Sequence, residues 1–139
     1  MIDWDDLTAD QRCVLLHAVE EDYLSAVLVG CTSEPDWPAR VAHVPRVAEI
    51  IEDLVNRGLV EVTRDAEEEG APPVDVRAED VHKVLHDAAN WWSPEGIRQP
   101  MTALAPTEAG LAIYAPSPDT PAAASADRLP GREDWPPLR

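Results

Sequence analysis

Residues 50 to 62 read IIEDLVNRGLVEV, so that a helix, a helix stop and a strand follow one another directly. Apolar residues recur at helical spacing along residues 47 to 55 and predict one buried face for a helix that begins at Pro45. Gly58 predicts the stop, because glycine takes the left-handed conformation at little cost, and Leu59 supplies the apolar partner of such a cap. Residues 59 to 63 are rich in β-branched side chains and predict a strand.

Upstream of this stretch, the sequence predicts two helices. Residues 8 to 11 have the Ser/Thr-x-x-Glu/Gln form of a capping box, so a first helix is expected to begin there and to end near residues 21 and 22. Residues 23 to 25 predict a short extended piece. Ser25 is then expected to cap a short helix over residues 26 to 29, although so short an apolar run could equally be a strand.

The longest amphipathic pattern of the chain lies downstream. Apolar residues repeat at i, i+3, i+4, i+7, i+8 and i+11 from Val81 to Trp92, which predicts a helix from about Arg77 to Trp91 or Trp92. The remaining predicted elements are loops at residues 32 to 43 and 65 to 73, a strand at residues 101 to 105 and a final helix at residues 107 to 115.

The composition fits one domain of ordinary size and argues against several classes of protein. The 139 residues include 27 acidic and 11 basic side chains, which gives a formal net charge of -16. No apolar run approaches the ~18–20 residues of a membrane span, and the acidic N-terminus is unlike a secretory signal. Two cysteines are too few to staple a secreted scaffold, so we expect a reduced, cytoplasmic protein with no membrane partner. The preference for arginine over lysine suggests a bacterial gene.

The chain divides at residue 115 into a folded domain and a tail. Residues 116 to 139 contain six prolines beside an Ala/Ser tract, and such a composition buries too little apolar surface to offset the entropy of ordering. We therefore predict a folded domain over residues 1 to 115 and a disordered tail over residues 116 to 139.

Two stretches give the chain a resemblance to a known family. Residues 50 to 62 resemble a recognition helix that runs through Arg-Gly into a first wing strand. Residues 104 to 110, LAPTEAG, are similar to the Leu-Thr-x-x-Gly step that leads out of a second wing strand. With the first helix, residues 7 to 115 resemble a winged helix-turn-helix domain of the MarR-like and PadR-like bacterial regulators. The resemblance implies an α+β fold, mostly α, that binds DNA through its recognition helix and wing.

The sequence departs from this family in the length of the wing and in the negative charge of the surfaces that would meet DNA. Thr63 and Met101 are separated by 37 residues that include an amphipathic helix, whereas a simple hairpin turns within ~2–5 residues. Residues 61 to 80 hold eight acidic residues against two arginines, and the predicted recognition helix offers Glu49, Glu52 and Asp53. Phosphates would repel such surfaces. We therefore expect a non-enzymatic regulatory module that acts through contacts with a protein partner or a second copy.

A DNA-binding transcriptional regulator is the alternative. Local arginines can hold DNA on an acidic protein if a dimer concentrates them, and the candidates are Arg40, Arg46, Arg57 and Arg64. The candidates for protein contact are the Trp91–Trp92 pair, the acidic run Glu67, Glu68 and Glu69, and Trp135 in the tail. Trp92 continues the apolar stripe and is expected to lie in the core, whereas Trp91 suits core and surface equally.

A metal- or ligand-responsive regulator is a further alternative. Cys13 with His17, and His82 with His86, are pairs one helical turn apart that could bind a divalent metal, and Cys31 or His43 could add a ligand. Two-ligand pairs are common by chance, so no metal or other cofactor is expected. The sequence identifies no third group to orient His17 and no oxyanion-binding segment, so a cysteine nucleophile is not expected either. Phosphate loops, paired catalytic carboxylates and nucleophile elbows are also missing from the sequence, so we predict no enzyme activity.

Overall fold

A computed structural model describes residues 2 to 114 of the chain. The predicted tail, and with it Trp135, lies outside the described residues. The longest described helix has 13 residues, and none of the described helices has the length and apolar character needed to cross a membrane.

The described residues form an α+β fold, about half of it helical, which confirms the predicted class at this level. The helices are α1 (Ala9–Val19), α2 (Leu24–Gly30), α3 (Trp37–Val41), α4 (Val44–Asn56), α5 (Ala78–Leu85) and α6 (Glu108–Tyr114). The strands are β1 (Val60–Arg64), β2 (Val74–Asp75) and β3 (Thr102–Pro106), and short 3-10 helices lie at Trp4–Asp6 and Ala88–Asn90.

The three strands form an antiparallel sheet with β1 at its centre, in the order β2-β1-β3. Val62 lies opposite Leu104, so the two predicted wing strands pair over their whole length. The short strand β2 was not predicted; it pairs with the end of β1, where Thr63 lies opposite Asp75. The predicted extended piece is present at Tyr23, which forms an isolated bridge to Ala103 of β3.

One face of the sheet packs against α1, α2 and α4 and forms a single aliphatic core. Its fully buried side chains come from these three helices, both long strands, α5 and the segment that follows α5. The largest of them are Trp91, Leu15, Leu24, Leu28, Ile51, Leu54, Leu85 and Leu104.

The predicted stop of α4 is confirmed in detail. Gly58 has a φ of 76°, a left-handed value that favours glycine. Its N–H donates to the carbonyl of Val55 at 2.9 Å, and the N–H of Leu59 donates to the carbonyl of Leu54 at 3.0 Å. This pair of hydrogen bonds is the Schellman arrangement, and the two leucines are buried beside each other in the core, as the cap requires.

The second stretch that carries the family resemblance packs directly on this stop. The hydroxyl of Thr107 donates to the carbonyl of Gly58 at 2.6 Å and accepts the N–H of Gly110 at 3.0 Å. Gly110 is buried, and a Cβ added there would overlap the carbonyl oxygen of Leu59. The glycine is therefore needed because α6 approaches the backbone of the turn between α4 and β1.

We predict that Gly110→Ala lowers the free energy of unfolding by about 1–3 kcal/mol, because a backbone carbonyl cannot move aside for the methyl group. Urea unfolding followed by circular dichroism measures the change. Ala109→Ser, at an exposed position in the same helix, should change the stability by less than about 0.5 kcal/mol. Equal stability of the two variants would contradict this account of Gly110.

Two predictions in the first half of the chain are corrected by the structure. The predicted loop at residues 32 to 43 contains α3, because the side chain of Asp36 accepts the N–H of Ala39 at 2.9 Å and Pro38 lies in the first turn. Helix α2 begins at Leu24, with Tyr23 and not Ser25 at its N-cap.

The predicted long helix of the insertion is also wrong in its extent. Helix α5 ends at Leu85, and Asp87 caps a separate 3-10 turn by accepting the N–H of Ala89 at 3.1 Å. Side chains of the turn satisfy carbonyl groups at the end of α5: the amide of Asn90 donates to Val84 at 2.9 Å, and the indole of Trp91 donates to Leu85 at 2.8 Å. The break shifts the helical phase, so the apolar stripe does not continue to residue 92.

This shift decides the place of Trp91, which the sequence left open, and makes the predicted core position of Trp92 wrong. Trp91 is fully buried and is therefore excluded as a protein-contact residue of the folded domain. Trp92 is half-buried and stacks on Trp37, with the rings 5.4 Å apart and 3° from parallel.

We predict that Trp91→Ala lowers the free energy of unfolding by about 3–5 kcal/mol, since it leaves a cavity in the core and removes a buried hydrogen bond. Trp92→Ala removes one ring stack and should cost about 1 kcal/mol. Chemical denaturation of the two variants compares the costs, and a larger loss for Trp92→Ala would contradict the assignment.

Candidate functional site

Three of the four arginines proposed for DNA are held by groups within the domain. In α4, a guanidinium nitrogen of Arg46 lies 3.0 Å from the carboxylate of Asp10, and Arg57 lies 3.0 Å from that of Asp53. Arg40 lies over the ring of Trp37, 4.9 Å from its centre. Arg46 and Arg57 are eleven residues apart, which separates them by about 16 Å along the helix. They therefore do not form one free cationic patch.

Arg64 differs from these three arginines. It lies at the end of β1, and its Nε is buried without a hydrogen-bond partner. It lines a cleft of about 520 Å³ between the sheet and α5. Both signs of charge line this cleft, among them Lys83, Arg98, Asp80 and Asp87. Arg98 pairs with the half-buried Asp87, which lowers the pKa of that carboxyl.

Both flanks of α4 are covered by other helices. On one flank, Gln11 of α1 donates to Asp53 at 2.7 Å. On the other, Glu52 of α4 lies against His82 of α5 and against His86, the residue after that helix. The ridge left to solvent between these flanks includes the exposed Glu49. The helix that would face DNA in a winged-helix protein therefore presents a carboxylate to solvent.

The pair of His82 in α5 and His86 just after it meets a carboxylate that the sequence did not single out as its partner. Oε1 of Glu52 lies 2.9 Å from Nδ1 of His82 and 2.7 Å from Nε2 of His86, and the two rings are 4.2 Å apart. The predicted pairing of His82 with His86 is therefore observed, with Glu52 as a third member. His82 is exposed, so this Glu52 cluster lies at the surface between α4 and α5.

A second cluster joins the ends of α1 and α2. Cys13 and His17 lie one turn apart on α1, and Cys31 follows the last residue of α2. One ligand atom from each of these three residues lies within 4.8 Å of the other two, and we call this group the thiol cluster. Sγ of Cys13 lies 3.4 Å from the carbonyl oxygen of Gly30. The structure thus unites the predicted Cys13–His17 pair with Cys31.

Asp22 orients His17, a role that the sequence analysis missed. Its carboxylate lies 2.6 Å from Nδ1 of His17. The contact follows from the way α1 ends: Glu21 has a φ of 55°, and the N–H of Asp22 donates to the carbonyl of His17 at 3.0 Å. This Schellman arrangement places the side chain of Asp22 against His17, five residues before it in the chain. Because residue 21 is a glutamate and not a glycine, this contact has little signature in the sequence.

Gly30 and a neighbouring cleft complete the surroundings of the thiol cluster. A Cβ on Gly30 would overlap Nε2 of His17, so glycine is what lets the ring lie at this place. Cys13 and Cys31 open onto a cleft of about 480 Å³. His43, the other predicted ligand candidate, lines this cleft but pairs with Glu34, with Nε2 3.1 Å from the carboxylate, and lies outside the cluster.

The surroundings of the thiol cluster shift the pKa values of its two cysteines in opposite directions. A hydrogen bond from Cys31 lowers the pKa of Cys13 to about 5, with help from His17 and against the opposing effect of burial. The same hydrogen bond, together with burial, raises the pKa of Cys31. Burial disfavours the charge on His17, but its hydrogen bonds to Cys13 and Asp22 outweigh burial and raise the pKa of His17. The cluster therefore favours a thiolate beside an imidazolium.

We predict that iodoacetamide alkylates Cys13 first in reduced, chelator-treated protein at neutral pH. The lowered pKa leaves Cys13 as a thiolate above about pH 5, whereas the raised pKa keeps Cys31 protonated. Mass spectrometry should find one modified cysteine, and the alkylation rate should fall only as the pH approaches 5. Cys31→Ala should move this midpoint upward. Equal labelling of both cysteines at neutral pH would contradict the opposite pKa shifts of Cys13 and Cys31.

The other predicted contact residues lie at the surface. Glu67, Glu68 and Glu69 are exposed in the loop between β1 and β2, as a solvated acidic loop should be. Trp92 is only half-buried by its stack on Trp37.

Comparison with family models, curated proteins and solved structures found no match to this chain.

Proposed function

We propose that this chain is a non-enzymatic regulatory module of the winged-helix type that acts through contacts with protein. The element order supports the fold part of the proposal: α1, an extended residue paired with β3, then α2, the five-residue helix α3, α4 and the β1–β3 pair. The junction of Thr107, Gly58 and Gly110 supports it as well, since it joins the two stretches on which the resemblance rests.

One observation carries the functional part of the proposal. Arg46 of α4 and Arg57, which follows the helix, are paired with carboxylates, and an exposed glutamate lies on the ridge that would meet the phosphates of DNA. To bind a duplex, Arg46 and Arg57 would have to leave Asp10 and Asp53 while Glu49 faced the polyanion. Each of these steps opposes binding.

The insertion strengthens the argument against a DNA-binding surface on α4. Helix α5 packs along α4 and is joined to it by Glu52, His82 and His86. A duplex groove that received α4 would also have to accommodate α5, whose first turn carries Glu79 and Asp80. The same insertion places the acidic loop of Glu67, Glu68 and Glu69 at the surface, where it suits a basic protein surface.

We predict that the full chain shows no salt-sensitive binding to duplex DNA. Fluorescence anisotropy with labelled genomic fragments at low salt measures binding, and Arg46→Ala/Arg57→Ala should leave the signal unchanged. Binding that weakens with salt and disappears in this double variant would establish the DNA-binding alternative and overturn the proposal.

The protein-contact proposal predicts charge-dependent association. Cross-linking of host extracts to the full chain, and light scattering of the chain alone, distinguish a different protein from a second copy. The partner should be lost in Glu67→Gln/Glu68→Gln/Glu69→Gln and retained in Glu79→Gln/Asp80→Asn, a control that removes acidic charge from the exposed start of α5. Retention in both variants would exclude the acidic loop as the contact surface.

A further inference from the structure

We propose that Cys13, Cys31 and His17 form a binding site for one zinc ion. The proposal does not depend on the proposed function, because it concerns side chains at the ends of α1 and α2 and not the surface of α4 or the acidic loop.

The donor atoms have the chemistry and the spacing for zinc. Two thiolates and one imidazole are a frequent ligand set for Zn²⁺, with bonds of about 2.3 Å to sulfur and 2.0–2.1 Å to nitrogen. Such bonds in a tetrahedral site separate the ligand atoms by about 3.5–3.8 Å. The three atoms already lie within 4.8 Å of one another, so each pair needs to approach by no more than about 1.0–1.3 Å.

His17 is held as a zinc-binding histidine usually is. Nδ1 lies against the carboxylate of Asp22 at 2.6 Å, which leaves Nε2 as the ring nitrogen for a metal ion. A carboxylate on the second ring nitrogen of a ligating histidine fixes its tautomer and raises its basicity. Gly30 provides the space for this ring, since a side chain there would overlap Nε2.

The cleft beside the cluster gives solvent access to the fourth coordination position. Both cysteines line it, together with the carboxylates of Asp10 and Glu34. Arg46 also lines the cleft, but Asp10 is paired with its guanidinium. Three protein ligands with an accessible fourth position are the arrangement in which zinc retains a water or binds a solute.

The Glu52 cluster is a second group of possible metal ligands, and it serves as the internal control. It offers two imidazoles and one carboxylate, but both imidazoles already lie against the same carboxylate oxygen, and the His82 side chain is 74% exposed. The thiol cluster has two sulfur donors instead, and thiolates suit zinc better than a surface carboxylate does.

Cobalt(II) titration of the reduced, metal-free full chain under anaerobic conditions tests the site. We expect the visible bands of tetrahedral cobalt and a sulfur-to-cobalt charge-transfer band, with one equivalent bound and displaced by one equivalent of zinc. The charge-transfer band should fall to about half in Cys13→Ser and in Cys31→Ser, because each variant removes one of two thiolates. His82→Ala/His86→Ala should keep the full spectrum.

Two variants change the surroundings without removing a donor. Asp22→Ala should weaken zinc binding by about 10–100-fold, the usual effect of removing such a partner. Gly30→Ala should weaken it as well, by displacing the imidazole. Circular dichroism checks that each variant is folded.

X-ray absorption of the zinc-loaded wild-type chain supplies a test without variants. We expect two sulfur neighbours at about 2.3 Å and nitrogen or oxygen neighbours at about 2.0–2.1 Å. Failure to bind either metal, a spectrum without sulfur neighbours, or loss of binding in His82→Ala/His86→Ala would overturn the proposal.

Discussion

One hydroxyl group ties together the two stretches of chain that flank the paired strands β1 and β3. Thr107 donates to the carbonyl of Gly58 and accepts the N–H of Gly110, so a single side chain joins the stop of α4 to the start of α6. Because β1 and β3 are 37 residues apart in the chain, counted from the end of β1 to the start of β3, their pairing requires closing a long loop. Thr107 helps to hold the far end of β3 where β1 begins, and α5 and the two short elements beside it are accommodated between the strands.

Local signals in the sequence predicted the parts of the fold that local chemistry determines. The capping box of α1 is present, with the hydroxyl of Thr8 accepting the N–H of Gln11 at 3.1 Å and the Gln11 side chain accepting the N–H of Thr8 at 2.8 Å. The glycine stop at residue 58 and the strand after it are also present. The end of α5 was missed because the apolar repeat continued past it, while a cap at Asp87 and buried hydrogen bonds from Asn90 and Trp91 set the true boundary.

The candidate site was predictable only within single helices. The i, i+4 spacing placed Cys13 beside His17 and His82 beside His86, since both pairs depend on helical geometry alone. Cys31 and Glu52 join these pairs through packing between helices far apart in the chain, which spacing does not encode. Asp22 is intermediate, because it reaches His17 through a left-handed residue that is a glutamate and not the expected glycine.

The sheet has little free edge along which a second chain could add a strand. β2 is two residues long and carries the exposed Val74 and Asp75, and on the opposite side the N–H of Leu104 donates to the carbonyl of Asp22 beside the Tyr23 bridge. Short and interrupted edges disfavour strand addition and the aggregation that follows from it. Within the part of the chain that the structure describes, recognition is therefore expected to proceed through side chains rather than by β-augmentation.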